Sequence, residues 1–241
     1  KSYKDIGYRA YLSQRYGRNL TSVNRQKKKI IWFHAVSLGE VIGSQNIIKL
    51  LLQSHDVVLT TTTPTGLRKA QEIYKDTIAI NYAPWDLNIF INRFIDFHQP
   101  EALLIFETEI WPAMISVSNF KGIPIFLLNG RLSLKSYNAY SKVSWLLKSI
   151  LQSFDFIFVQ APQHKERFIR LGVQAEKIAI AGSVKFDAPG LNFKKLDLPN
   201  FVLGASTHLG EEEIILTAFK KIRENHSHKL FICPRHPDRA R

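Results

Sequence analysis

The apolar run Ile30-Ile31-Trp32-Phe33 leads without a break into His34-Ala35-Val36-Ser37-Leu38-Gly39-Glu40, and a helix-like segment over 42–52 follows. The order is strand, short glycine-containing turn, helix start. In open α/β folds, ligands bind at that edge, outside the carboxyl ends of the strands. Glu40 lies at the turn, where its carboxylate can face the crevice. It can equally do no more than complement the positive end of the helix dipole.

Outward from this stretch the same alternation repeats. Apolar runs occur at 30–36, 57–61, 77–81, 102–106, 124–128, 154–159 and 177–181. Helix-like segments lie between them at 41–53, 66–74, 87–98 and 163–171. The alternation predicts βαβ units around a parallel sheet. Strands this uniformly apolar are expected to be covered on both faces. After Gly182 the pattern breaks. Residues 189–200 read as a linker; a strand over 201–205, a helix over 210–224 and a strand over 229–233 then open a second α/β unit. The expected organisation is a basic segment (1–29), a Rossmann-like domain (30–188), the linker, and the beginning of a second Rossmann-like domain (201–241).

Composition narrows the partners. The chain has 241 residues, 45% of them hydrophobic, and its 33 Lys and Arg against 20 Asp and Glu give a formal net charge of +13. Such a balance favours anionic partners: nucleic acid, an anionic membrane or a phosphorylated substrate. A single cysteine, Cys233, excludes an internal disulfide and a cysteine-cluster metal site. It falls in an apolar run and is expected in the core. The most apolar stretch, 143–159, is interrupted by Lys148 and Asp155, so no bilayer-spanning segment is expected. Residues 1–29 set nine Lys and Arg, among them Arg9, Arg15 and Arg18, against the single acid Asp5, with Tyr3, Tyr8, Tyr11 and Tyr16 interleaved. The segment reads either as a solvated basic helix and loop or as a membrane-surface element, where each cation contributes about 1 kcal/mol.

Further motifs follow the other strands. Glu107-Thr108-Glu109-Ile110-Trp111-Pro112 comes directly after the run 102–106. One acid can cap the next helix, which has Pro112 in its first turn; the other, with Glu40, can form a carboxylate group whose mutual repulsion raises a pKa toward that of a general base. Asn129-Gly130-Arg131-Leu132-Ser133 offers Arg131 to those acids or to an anionic substrate, and Ser133 as a helix cap. Gly182-Ser183-Val184-Lys185 can cradle a phosphate. Ser206, Thr207 and His208 precede a helix start whose amides can hold an anion. Arg235, His236 and Arg239 form a compact cationic set suited to a phosphodiester. His34, His208 and His236 lack metal-ligand spacing, so no metal site is expected. No phosphate-loop, DNA-binding or RNA-binding signature accompanies the charge, so no nucleic-acid partner is expected.

Taken together, His34–Glu40, 107–112, 129–133, 182–187, 206–212 and 234–239 resemble, in order and spacing, the bacterial 3-deoxy-D-manno-oct-2-ulosonic acid (Kdo) transferases of lipopolysaccharide synthesis. The resemblance implies a GT-B fold of two Rossmann-like domains, no cofactor, CMP-Kdo as donor and a lipid A precursor (lipid IVA) as acceptor. It implies inverting transfer without a catalytic metal, with Glu40 as general base and Glu107, Glu109 and Arg131 binding the acceptor or assisting. Ser183, Lys185, Ser206, Thr207, His208, Arg235 and His236 would face the donor. It implies a location at the cytoplasmic face of the bacterial inner membrane, any N-terminal anchor lying before Lys1. Family members extend past Arg241 with further nucleotide-binding residues, so a 1–241 fragment alone is expected to be inactive. Two other readings stand beside this one: a GT-B enzyme using another nucleotide sugar, and a non-catalytic peripheral protein that binds anionic lipid. Residues 137–151, with Tyr140, Lys142, Trp145, Leu146 and Lys148, are either a packed helix or a membrane contact.

Overall fold

The computed structural model describes residues 7, 9–24, 29–184, 199–223, 227–236 and 239. The chain divides into two compact units, Lys1–Pro189 and Gly190–Arg241.

Seven strands form the sheet of the first unit: β1 (Ile30–His34), β2 (Asp56–Thr61), β3 (Ala79–Tyr82), β4 (Ala102–Phe106), β5 (Ile125–Gly130), β6 (Phe156–Val159) and β7 (Ile178–Ile180). Their spatial order is β3-β2-β1-β4-β5-β6-β7, and every pairing is parallel. The chain moves outward from β1 to β3, then returns to the far side of β1 for β4. That reversal leaves the carboxyl ends of β1 and β4 side by side at the point where the connecting chains diverge, so a crevice opens there.

Nine helices of this unit are described: α1 (Leu12–Arg15), α2 (Leu38–Gly43), α3 (Gln45–Leu51), α4 (Pro64–Tyr74), α5 (Asn88–His98), α6 (Pro112–Phe120), α7 (Leu134–Ser141), α8 (Ser144–Gln152) and α9 (Pro162–Arg170). The period-two alternation of β1 divides its side chains between two cores. Ile30 and Trp32 join Ile91, Phe94, Leu103 and Met114; Ile31 and Phe33 join Leu59, Leu67, Ala70 and Phe106 on the other face. All five residues of β1 are buried. At about 1.5–3 kcal/mol for each large apolar side chain removed from water, this strand anchors the turn that carries Glu40.

The structure differs from the sequence expectations in several places. The 41–53 helix is two helices, broken at Ser44, whose hydroxyl bonds back to the Val41 carbonyl at 3.2 Å. Burial on both faces holds for β1 and β2 but not for β5 and β6, where Phe126, Leu128, Phe156 and Phe158 are only partly covered. The described part of the basic segment is no solvated helix at its centre. Arg15 is buried, donates to the Thr62 carbonyl at 2.8 Å, and lies over the rings of Tyr82 and Trp85. Gln14 accepts the Tyr82 amide, and Asn81 and Thr21 exchange two hydrogen bonds. The segment thus covers the open edge of β3. Residues 1–6, 8 and 25–28 lie outside the described set.

The second unit pairs β8 (Phe201–Thr207) in parallel with β9 (Lys229–Pro234) and carries α10 (Glu211–Arg223) between them. Thr207 is its one buried residue among those described. Phe201, Leu203, Ile214 and Phe231 are exposed, and so is Cys233, contrary to the core position expected of it: a two-stranded sheet has too little cover to enclose it.

Candidate active site

Glu40 sits in the first turn of α2 with its side chain buried. Its Oε2 accepts the Val36 amide at 2.8 Å and its Oε1 accepts the Ser37 hydroxyl at 2.7 Å. The turn itself is held from β2 and its following loop. The Val36 carbonyl accepts from the Thr61 and Thr62 hydroxyls at 2.8 and 3.1 Å and from the Thr62 amide at 3.1 Å. α4 packs close because residue 66 is glycine: a Cβ there would lie 2.5 Å from Thr61 Oγ1 and 3.3 Å from the Ser37 carbonyl carbon.

The Glu40 carboxyl is pushed up to about 7. Burial is the main cause; the bonds from Ser37 and Val36 pull it down, and the charges of Glu109 and Glu107 push it further up. The structure therefore brings the three acids into one electrostatic group across the β1/β4 crevice. Glu107 adopts a left-handed backbone (φ 62°) immediately after β4, its amide bonded to the Leu128 carbonyl, a conformation that costs a non-glycine residue energy. Glu109 accepts the Trp111 indole N–H at 3.2 Å, and burial raises its carboxyl above the usual range.

Neither acid caps α6. The amides of Ala113 and Met114 donate to Asp86 at 3.2 and 2.8 Å. A carboxylate distant in sequence does the work expected of Glu107 or Glu109. The Tyr140 hydroxyl, on α7, is raised by burial and by the charge of Glu109, which places it at the same site. Sequence reading missed Ser37, Asp86 and Trp111 as site-building residues and placed Tyr140 on a helix read as either packed or membrane-facing, not at the site. The three-residue separation of Ser37 from Glu40 was the one available signal.

His34 ends β1 fully buried, with Nδ1 bonded to Thr60 Oγ1 at 2.9 Å and its ring edge-to-face with Trp111. Burial drives its pKa to about 3, so it stays neutral and belongs to the floor of the site. Arg131 has an exposed side chain; its amide donates to Thr108 at 2.8 Å, joining the β4 and β5 loops. Its charge acts on His164, and it is not among the groups that shift Glu40. Ser133 caps α7 by accepting the Ser136 amide. Ser183 is partly buried just beyond β7, and Lys185 lies outside the described residues.

In the second unit, the register pairs Thr207 with Pro234, so Ser206, Thr207, His208, Arg235 and His236 gather at one end of the two strands. Ser206 has φ 58°, and Ser206, His208, Arg235 and His236 are exposed. Two expectations change here. The Thr207 hydroxyl donates to Glu212 at 2.7 Å, and the His208 amide is bonded to Glu211, so the chain's own carboxylates take one hydroxyl and one amide just before α10. Arg239 is paired with Glu212 at 2.9 Å rather than available as a third cation. Among the described residues no group of three or more His, Cys, Asp and Glu could hold a metal ion.

Residues 10–188 match a family model described as 3-deoxy-D-manno-octulosonic-acid transferase (kdotransferase). The chain is 33% identical over 256 residues to 3-deoxy-D-manno-octulosonic acid transferase of Haemophilus influenzae, covering 99% of this chain and 59% of the relative. It is 31% identical to the Aquifex aeolicus protein of the same name, covering 89% of this chain and 57% of that one. The chain thus spans under two thirds of the length of these relatives. Among solved structures, UDP-GlcNAc 2-epimerase from Neisseria meningitidis bound to UDP-GlcNAc aligns with a TM-score of 0.57 at 15% identity, over 85% of this chain and 64% of that one. At that identity the likeness concerns the fold alone: α/β, Rossmann-like, of the GT-B type.

Proposed function

The chain belongs to the 3-deoxy-D-manno-octulosonic-acid (Kdo) transferase family, and from that premise we propose that the protein it forms part of transfers Kdo from CMP-Kdo to a lipid A precursor, lipid IVA. The observation that carries the reading is the meeting of Glu40, Glu107 and Glu109 at the β1/β4 crevice, with the Glu40 carboxyl raised to about 7. A base of that pKa is half ionised near neutral pH, where general-base catalysis is most effective. Glu40 takes the proton from the acceptor hydroxyl. The hydroxyl oxygen forms a bond to the anomeric carbon of Kdo from the face opposite the phosphate; the bond from that carbon to the phosphate oxygen breaks, and its electron pair leaves with CMP. Configuration inverts, and no step requires a metal or cofactor. Glu109, held by Trp111 and beside Tyr140, and Glu107 bind acceptor hydroxyls, with Arg131 at the rim. Ser206, His208, Arg235 and His236 of the second unit take the donor, Thr207 shaping that end through Glu212.

The acceptor is a lipid, so a membrane surface belongs to the reading. No Asp or Glu occurs between Ile110 and Phe154. Over α7 and α8, Trp145 (79%), Leu134 (59%) and Leu146 (52%) are exposed beside the exposed Lys135, Lys142 and Lys148. Apolar and basic side chains mixed in this way suit an anionic bilayer interface, here the cytoplasmic face of the bacterial inner membrane. The same α7 turns Tyr140 toward Glu109, so a lipid-borne sugar would have a short path to the carboxylates. Among the described residues no helix is long and apolar enough to cross a membrane.

The test is to incubate the complete protein with CMP-Kdo and tetraacylated lipid A precursor and to follow both CMP release and the mass of the lipid. A mass gain of Kdo with equimolar CMP supports the reading. A folded protein that gives neither, or that is protected against thermal unfolding by UDP and not by CMP, overturns it.

A further inference from the structure

Ser37-Leu38-Gly39-Glu40 has the spacing of a capping box, in which the serine hydroxyl accepts the amide of the glutamate and the glutamate accepts the amide of the serine. The structure has a different wiring. Ser37 occupies the N-cap position of α2 with extended backbone (φ −124°, ψ 168°), yet its side chain caps no amide. Its hydroxyl donates instead to Glu40 Oε1 at 2.7 Å, and Glu40 Oε2 accepts from the amide of Val36, not of Ser37. Hydroxyl residues at the same position of neighbouring helices behave ordinarily. Thr63 accepts the Gly66 amide at the start of α4, and Ser133 accepts the Ser136 amide at the start of α7. Ser37 is thus diverted from its helix to the carboxylate. Its main chain is also pinned, between the hydrogen-bonded Val36 carbonyl and the close approach of Gly66.

We propose that Ser37 is the positioning residue of Glu40: its hydroxyl fixes Oε1 in one direction and leaves the remaining lone pairs of the carboxylate to face the acceptor hydroxyl. The proposal rests on the reading of Glu40 as base. A carboxylate oxygen has two lone-pair sites. Ser37 and the Val36 amide each fill one, so the carboxylate cannot rotate without breaking both bonds. A donated hydrogen bond also stabilises the ionised form, which opposes the burial of Glu40 and keeps it usable as a base at neutral pH. The charged groups that act on Glu40 are Glu109 and Glu107 of the β4 loop. His34 at the end of β1 is neutral. On α4, packed against α2, Lys69 pairs with Glu72 and Arg68 is exposed; Lys49 of α3 is exposed.

The experiment compares Ser37→Ala, Ser37→Thr and Glu40→Gln in the complete protein, reading kcat against pH, KM for CMP-Kdo, thermal stability, and the carboxyl titration of Glu40 by infrared difference against Glu40→Gln. The expected result for Ser37→Ala is an acid limb of kcat moved up by about one to two pH units, with KM nearly unchanged and the melting temperature nearly unchanged below about pH 6, where the Glu40 carboxyl is protonated in both proteins. Activity at pH 6 then falls by about tenfold or more, while Ser37→Thr keeps the wild-type limb. An unmoved limb with a melting temperature several degrees lower would mean that Ser37 only caps α2, and would overturn the proposal. Failure of the base reading is visible separately, as transfer that survives Glu40→Gln. In that case the infrared titration still decides whether Ser37 holds the carboxylate: an upward shift in Ser37→Ala supports it, and no shift overturns it.

Discussion

At the scale of the residue, the account turns on a buried carboxyl that the fold keeps at a cost. The folded-state pKa of Glu40, about 7, lies above its ordinary value of 4.5. Between those values the folded protein holds a proton that the unfolded chain has released. Stability contributed by this group is therefore present below pH 4.5 and is lost as pH rises to 7. Glu40→Gln should stabilise the complete protein at pH 8.5 by on the order of 2 kcal/mol, seen as a higher melting temperature, and change it little at pH 4.5. Equal melting curves at both pH values would contradict the burial argument. Gain of stability with loss of activity is the usual trade at a functional site. The sequence pointed to Glu40, Glu107 and Glu109 because each follows an apolar strand. It offered no sign that Asp86 caps α6, because that bond joins residues 27 and 28 positions apart, or that Ser37 is turned from cap to donor.

At the scale of the element, caps and close approaches hold the two site turns. Asp86→Ala removes the acceptor for two amides of α6 and should destabilise the protein by about 1–2 kcal/mol, measured by denaturant unfolding. A change below a few tenths would mean that water replaces the cap at no cost. Gly66→Ala should cost about 1–3 kcal/mol, because its Cβ would meet Thr61 Oγ1 at 2.5 Å and displace the wall behind Ser37. Most strands and helices were legible from apolar periodicity, since β1, β2 and β4 bury almost every residue. The parts that were not legible have physical reasons. Ser44 breaks a helix whose apolar pattern runs straight through it. Asn129 adopts φ 55° inside β5 and shifts its register against β6, which lengthens the strand beyond its apolar run. The uncovered faces of β5 and β6 are as apolar as the covered ones, so composition alone does not distinguish them.

At the scale of the whole molecule, the two units differ in self-sufficiency. The first has two packed cores around a seven-stranded sheet; residues 1–189 should unfold cooperatively by themselves. The second has one buried residue among those described, and 190–241 alone should show no cooperative transition; a sharp one would contradict this contrast. The net charge of +13 is expected to act at the membrane through α7 and α8. Reversing Lys142 and Lys148 to Glu should weaken binding to anionic vesicles by at least about 30-fold and leave binding to neutral vesicles unchanged; equal binding to anionic vesicles would remove this face from the account. The central claim concerns the carboxylates at the β1/β4 crevice, and one measurement tests it most directly: Kdo transfer from CMP-Kdo to tetraacylated lipid A precursor by the complete protein, wild type against Glu40→Gln, with folding verified for both. The account predicts transfer by the wild type and a loss of about 10²-fold to 10⁴-fold in the variant. Undiminished transfer by a folded Glu40→Gln protein would contradict it.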